Sequence, residues 1–333
     1  MQKFLIIQTA FIGDVVLATP IIEKLHSFFP DAQIDFLVRK GNEPLLMNHP
    51  RLHEVLIWNK KKHKQRNLLA LIFRIRRIRY DKVINLQRFA STGLLTAFSA
   101  AKETIGFNKN PLSFLFSKKI SHIVGEGEKL HETQRNLELI LHFTGPGYFL
   151  PALYPAAGDF TFIQPFASGK FITVSPASVW FTKQYPAEQW ISFIRQTTAE
   201  YRILLLGGPG DRPLCENIQT ALGTHSIENL AGSLTFLQSA ALMSLAAMNY
   251  VNDSAPMHFA SAMNAPVTAV YCSTVPAFGF GPLSDVRNIV QIEGTLYCRP
   301  CGLHGYAACP EGHFRCAGEI RDDQLLKTFP AGR

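Results

Sequence analysis

No apolar run in the 333-residue chain approaches the ~20 residues that span a bilayer, which excludes a helical membrane protein from the expected classes. The opening MQKFLIIQTAF runs straight into Gly13-Asp14, with no small-residue cleavage region of a secretory signal, so a cytoplasmic protein is expected. Glycine is scarce where a dinucleotide fold needs it. Gly13 is the only glycine from Phe4 to Pro20, so the Gly-rich phosphate cradle is absent. No helix-turn-helix, finger or aromatic-basic single-strand signature is present, and nucleic acid is set aside as a partner. There is no low-complexity tract and no close internal repeat. Charged residues are only 17% of the chain against 47% hydrophobic, enough to bury ordinary cores. The length suggests two domains, at roughly 100 to 200 residues each.

Charge is unevenly shared, and the asymmetry says more than the formal total of +8. Residues 1–150 carry 22 Lys and Arg against 12 Asp and Glu, a net of +10, while residues 151–333 carry 11 against 13, a net of −2. The basic clusters are Lys60-Lys61-Lys62-His63-Lys64-Gln65-Arg66 and Arg74, Arg76, Arg77 and Arg79. A solvated helix face is the plain explanation. A patch for phospholipid headgroups or a phosphorylated glycolipid is the functional one.

Strand and helix signals alternate through the first half. FLIIQ (4–8) precedes a helix-like run from Asp14 to Phe29, followed by IDFLV (34–38), EVLIW (54–58), a basic helical pattern over 65–79 and DKVINLQ (81–87). A short GLLTAFSA helix, a TIGF strand and a helix from His131 to Phe143 come next. Such a βαβ series predicts a mostly parallel sheet. From Thr144 to Lys170 the composition turns to Pro, Gly and aromatics, and a linker is expected over 151–170. The pattern then restarts with FITVSP (171–176), a helix after Pro186, RILLLGG (202–208), RPLCENIQTALG and ENLAG (228–232). SLTFLQSAALMSLAAM, NYVND (249–253), SAPMHFASAMN and VTAVYC (267–272) complete it. Two similar α/β halves, 1–150 and 171–333, are predicted to face each other across a cleft, with the last helix free to pack back on the first.

Three stretches carry chemistry. In QTAFIGDVVLATP, a buried strand ends at a Gly-Asp pair where an amphipathic run begins. Such a turn lies at the carboxyl edge of an open α/β sheet, where ligands bind. Asp14 there is either a helix N-cap or a carboxylate available as a base or sugar contact. In YVNDSAPMHFASAMN a strand ends at Asp253, Ser254 is a second capping candidate, and Pro256 suits a first helical turn just before His258. Free amides at that helix start suit a diphosphate; an ordinary capped helix with a surface histidine is the plainer alternative. In PASVWFTKQYPAEQW, Ser175, Ser178 and Lys183 follow a strand on a loop at the same sheet edge. A lysine there neutralises a departing phosphate as a point charge, without a metal; otherwise it is a solvent lysine.

Four cysteines, Cys298, Cys301, Cys309 and Cys316, are spaced C-x2-C-x7-C-x6-C with His304 and His313 interleaved. The leading C-x2-C pair suggests structural zinc, with reduced thiols or a disulfide as alternatives. Cys215 and Cys272 look like core residues.

QTAFIGDVVLATP, the K-x-Y-P-x-E-x-W segment from Lys183 to Trp190, and NDSAPMHFASAMNAPVTAVY together resemble the three signature regions of the family 9 glycosyltransferases, the lipopolysaccharide heptosyltransferases. RNLELI (135–140) and CRPCGLHGYAACPEGHFRC also look like that family, so the similarity runs through nearly the whole chain in order. The resemblance implies a GT-B fold: two Rossmann-like, doubly wound domains, the first for the acceptor and the second for the nucleotide sugar. It implies ADP-heptose as donor, the Kdo or heptose inner core on phosphorylated lipid A as acceptor, inversion without a metal or other cofactor, and work at the inner membrane's cytoplasmic face. The position matching Asp14 acts as general base. That matching Lys183 contacts the donor phosphates, and Asp253, Ser254, Ala255 and His258 match residues around the donor.

Within that frame Gly13 and Arg88, directly after VINLQ, are acceptor candidates, with Lys109 a weaker one. Asp211 in GGPGD is placed to reach the nucleotide's ribose or base, or simply forms the turn. The sequence departs from the family pattern at Ser254-Ala255, where Thr-Gly or Ser-Gly is usual, and at Ser273-Thr274, where Gly-Pro is common. Another nucleotide sugar on the same fold, or a non-catalytic nucleotide-sugar binder, are the alternatives.

Overall fold

The short apolar runs become the central strands of two parallel sheets. The computed structural model describes residues 1–124, 130–197, 200–223 and 226–330, and the chain divides into two units, Met1–Tyr154 and the remainder from Pro155. In the first unit the strands are β1 (Lys3–Ile7), β2 (Gln33–Arg39), β3 (Glu54–Trp58), β4 (Lys82–Asn85), β5 (Glu103–Phe107) and β6 (Lys118–Ile120). They form one sheet in the order β3-β2-β1-β4-β5-β6. Its helices are α1 (Ile12–Phe28), α2 (Lys64–Ile78), α3 (Ala90–Ala97), α4 (Glu132–Glu138) and α5 (Leu141–Thr144).

The second unit repeats the plan. Its strands are β7 (Phe171–Ser175), β8 (Arg202–Leu205), β9 (Ile227–Asn229), β10 (Asn249–Asn252), β11 (Val267–Tyr271) and β12 (Arg287–Gln291), in the order β12-β11-β10-β7-β8-β9. Its helices are α6 (Ala157–Ile163), α7 (Ala187–Arg195), α8 (Arg212–Leu222), α9 (Phe236–Leu245), α10 (Ala255–Ala262), α11 (Arg315–Gly318) and α12 (Asp322–Leu326). Both orders are the doubly wound 3-2-1-4-5-6, in which the winding reverses beside the first strand of each sheet.

Burial accounts for the strand signals. Leu5 and Ile7 of β1, Leu37, Leu56 and Trp58 are inaccessible and pack with Leu71 and Ile75 of α2 and with Tyr80. In the second unit Trp190 and Phe193 of α7 pack with Tyr185, Tyr250 and Ile172. Helix α1 keeps a proline in its interior because Thr19 compensates for it. Pro20 has no amide to give the carbonyl of Val16, and the Thr19 hydroxyl donates to that oxygen at 2.8 Å.

Three local outcomes differ from expectation. The 131–143 helix is two pieces, α4 and α5, broken at Leu139-Ile140. Segment 151–170 contains α6, which packs on α9 of the second unit. The last helix, α12, packs on α7 with Leu325 wholly buried, so its apolar face is spent within its own unit.

Candidate active site

Doubly wound sheets bind ligands outside the carboxyl ends of the strands where the winding reverses. In the first unit that point lies between β1 and β4, which pair directly. After β1 the chain reaches Gly13 and Asp14 in the first turn of α1, and the loop after β4 carries Arg88. The side chains of Gln8 and Gln87 hydrogen-bond each other across the two loops. Asp14 is not the cap residue but the third residue of α1, and its Oδ2 accepts from the amide of Phe11 at 3.0 Å. Burial pushes its pKa up to about 6, helped by the negative charge of Glu132 and opposed by the Phe11 amide and the guanidinium of Arg39. Glu132 is itself held by His122 Nε2 at 3.2 Å and Arg135 Nε at 2.8 Å, which gives the RNLELI segment a structural task.

Arg88 is exposed, with its guanidinium 5.6 Å from the ring centre of Phe89. Lys109 is exposed after β5, and its neighbour Asn110 ties the loops together by donating to the carbonyls of Gln87 at 2.8 Å and Phe89 at 3.1 Å. Lys60 has no counterpart among the expected residues. It leaves the basic cluster, turns inward and donates to Thr9 O and Oγ1, both at 2.9 Å, on the β1–α1 loop. Burial lowers its pKa to about 8, with further lowering by Arg39 and Lys64. Two cations, Lys60 and Arg39, therefore stand near the β1–α1 loop that leads into Asp14.

In the second unit the winding reverses between β7 and β10. Lys183, in a 3-10 turn after β7, and Asp253, directly after β10, come together there, with Nζ and Oδ2 2.7 Å apart. Ser254 takes the cap position of α10, but no side chain caps that helix, and Pro256 sits in its first turn. Its hydroxyl instead faces Asn252 O at 3.4 Å. Pro256 has no amide and that of Met257 donates to Ser254 O at 3.1 Å, so the amide of Ala255 is the one at this helix start that no side chain caps. His258 lies buried one turn into α10, not on the surface. Ser178 offers its carbonyl to Gln184 Nε2 at 2.7 Å, and Ser175 is buried at the end of β7. Asp211 caps its own turn: its Oδ2 accepts from Gly208 N at 2.8 Å, the local role foreseen as the alternative to a nucleotide contact.

Of the two departures from the family pattern, Ser273-Thr274 serves this cluster. The hydroxyl of Thr274 donates to Asp253 Oδ2 at 2.6 Å, and that of Ser273 donates to Thr182 Oγ1 at 3.0 Å. Arg299 then clamps the loop, donating to the carbonyls of Cys272 at 2.7 Å and Thr274 at 2.7 Å and to Gln291 Oε1 at 2.8 Å. Gly305, at φ +76°, backs onto Lys183; a Cβ there would lie 2.9 Å from Thr182 Oγ1 and 3.0 Å from Lys183 Cγ.

The zinc expectation is not met. Among the described residues no three His, Cys, Asp or Glu side chains are grouped so as to hold a metal, and all four cysteines are unbridged. Cys298 Sγ lies 4.0 Å from His313 Nε2, while Cys301 Sγ is turned to the carbonyl of Cys298 at 3.1 Å and Cys316 is buried. The segment is held by backbone bonds, Cys301 N to Ser273 O at 2.8 Å and Tyr306 N to Thr182 Oγ1 at 2.8 Å, which makes it a brace for the Lys183 loop.

Two doubly wound units, each with a polar cluster at its winding reversal, define the GT-B class of glycosyltransferases. The chain superposes on the glycosyltransferase of family 9 from Veillonella parvula with a TM-score of 0.82 at 19% identity, covering 98% of this chain and 96% of that one. Against the Escherichia coli ADP-heptose lps heptosyltransferase II the TM-score is 0.79 at 21% identity, covering 98% and 97%. The model of glycosyltransferase family 9 (heptosyltransferase) matches residues 68–305, and the chain belongs to that family. In sequence it is similar to lipopolysaccharide heptosyltransferase 3 of Escherichia coli, 27% identical over 86% of this chain and 87% of that protein.

Proposed function

We propose that the protein transfers heptose from ADP-heptose to the Kdo or heptose inner core of lipopolysaccharide, with inversion at the anomeric carbon. Asp14 takes the proton of the acceptor hydroxyl as that oxygen bonds to the anomeric carbon, and the bond from this carbon to the diphosphate breaks with its electron pair leaving on ADP. Lys183 and the Ala255 amide at the start of α10 meet the charge that develops on the diphosphate. Arg88 and Lys109, with Lys60, take the phosphates and carboxylates of the acceptor. No cofactor enters this scheme. Among the described residues no helix is long and apolar enough to cross a membrane, and work at the anionic inner-membrane surface is part of the proposal.

The observation that carries the proposal is Asp14, a carboxylate at the ligand edge with its pKa raised to about 6. A general base works best with a pKa near the operating pH, where it is ionised yet still basic. The family match supports heptose as the sugar, and the ADP donor named for the Escherichia coli neighbour supports the nucleotide. The test is ADP release from ADP-heptose with a Kdo-terminated lipid A acceptor and no added metal, comparing wild type with Asp14→Ala. Acceptor-dependent release that disappears in the variant, with donor binding kept, is the expected result. Equal loss of binding and transfer assigns Asp14 a structural part, and no release from wild type sends the donor assignment to other nucleotide sugars.

A further inference from the structure

The outward face of α2 is unused by the scheme above. Leu68, Leu71, Ile72, Ile75 and Ile78 point inward and pack with the β1–β3 core. That core is already served, yet two further apolar side chains of the same helix, Leu69 and Phe73, are 56% and 70% exposed. At about 3.6 residues per turn, Arg66, Leu69, Ala70, Phe73 and Arg77 form one stripe opposite the buried one, with Arg74 and Arg76 on its flanks. Arg76 Nη1 donates to the backbone carbonyl of Phe98 at 3.2 Å, so a third residue with an exposed apolar side chain neighbours this flank of the helix.

The charge carried by this segment itself has one sign. From Asn59 to Tyr80 there is no Asp or Glu, and Lys61, Lys62, Lys64, Arg66, Arg76, Arg77 and Arg79 are exposed. Among the described residues, Arg74 alone of the α2 cations has a carboxylate partner, Glu54 at 2.5 Å. Apolar side chains ringed by long cations suit the boundary between headgroups and acyl chains: the apolar groups enter it while guanidinium groups stay with the phosphates.

We propose that this face of α2 lies in the plane of an anionic phospholipid bilayer, with Leu69, Phe73 and Phe98 inserted and Arg66, Arg76 and Arg77 on the headgroup phosphates. The proposal deepens the membrane placement above and rests on it, but it names a surface that the transfer chemistry does not use. A nucleic acid would employ the arginines and leave Leu69 without a role. A bilayer uses both kinds of side chain.

The test is co-sedimentation of the full chain with vesicles of phosphatidylglycerol and phosphatidylethanolamine, free of glycolipid, against vesicles of phosphatidylcholine alone. The expected result is salt-sensitive binding to the anionic vesicles only, weakened about tenfold or more both by Leu69→Ser with Phe73→Ser and by Arg66→Glu with Arg77→Glu. Phe73→Trp reports insertion directly through a blue shift of the introduced indole's emission on the anionic vesicles. Transfer to a water-soluble, deacylated acceptor stays at the wild-type level in all these variants. Wild type that ignores anionic vesicles, double variants that bind them as wild type does, or an emission of the Phe73→Trp variant that stays unshifted overturns the proposal. So does RNA that displaces the protein from vesicles while binding the Leu69→Ser, Phe73→Ser variant undiminished. Vesicle binding without turnover of the deacylated acceptor sinks the transfer scheme instead and leaves the docking face standing.

Discussion

Asp14→Asn keeps the shape of the side chain, and the Asn oxygen still accepts from the Phe11 amide, but the charge and the basicity are gone. The wild-type carboxyl has its pKa moved from 3.8 to about 6, chiefly by burial. At that value roughly nine-tenths of the protein carries the ionised base at pH 7 and about one-tenth at pH 5. The kcat/KM for heptosyl transfer therefore falls close to tenfold between pH 7 and pH 5, along a single-proton limb. Asp14→Asn lowers kcat by about 10² to 10⁴, the range for loss of a general base, and removes that limb.

Stability moves in the opposite direction. A carboxyl whose folded pKa lies above its unfolded one holds its proton more tightly when folded, so its ionisation costs stability above about pH 6. The cost is relieved as pH falls toward 3.8. A shift of roughly two units corresponds to about 3 kcal/mol, an upper figure for a partly exposed group. Asp14→Asn accordingly raises Tm at pH 8 and leaves it unchanged near pH 3.5, as measured by scanning calorimetry. A pH-independent rate between 5 and 8, or a Tm difference equal at both pH values, would refute the reasoning.

Lys183→Ala weakens ADP binding at least about tenfold by titration calorimetry, since a charge-assisted contact is lost where Asp253 cannot replace it; unchanged affinity would place the lysine outside the donor site. Thr274→Val removes the only hydroxyl bonded to the Asp253 carboxylate among the described residues and costs about 1 to 3 kcal/mol in urea unfolding. A cost below about 0.5 kcal/mol would mean that the buried carboxylate does not depend on it. Gly305→Ala drives a methyl against Thr182 and Lys183 and lowers kcat/KM through the donor's KM, with Tm falling by only a few degrees; kinetics identical to wild type would show that the lysine does not need this brace.

Much of the architecture was legible because buried parallel strands write themselves as unbroken apolar runs. FLIIQ, IDFLV, FITVSP and VTAVYC all became central strands. β6 and β12 were not, because KKI and RNIVQ are edge strands with one or both faces wet and carry no such run. The site divides the same way. Asp14, Lys183 and Asp253 could be picked out because each follows a strand that is itself recognisable. Lys60 lay hidden in a run of lysines, and nothing local marks the one that turns inward. Thr274 and Arg299 act through bonds, and Gly305 through close approach, to residues distant in sequence, and a spacing pattern holds no trace of those. The cysteine spacing misled for the converse reason. A metal-like interval fixes separation along the chain, whereas ligation needs side chains to converge.

The Lys183–Asp253 pair has a consequence for how the proposed reaction starts and stops. Asp253 holds and neutralises the lysine at 2.7 Å, so much of the roughly 2 kcal/mol of rotamer entropy in such a side chain is spent within the protein itself. An incoming diphosphate does not find a waiting cation; it displaces an internal rival. Binding becomes an exchange of counter-ions, which favours ligands carrying more than one negative charge over singly charged ones. In the proposed scheme the same exchange runs backwards at the end of the cycle, with Asp253 reclaiming the lysine as ADP departs and so helping the product leave.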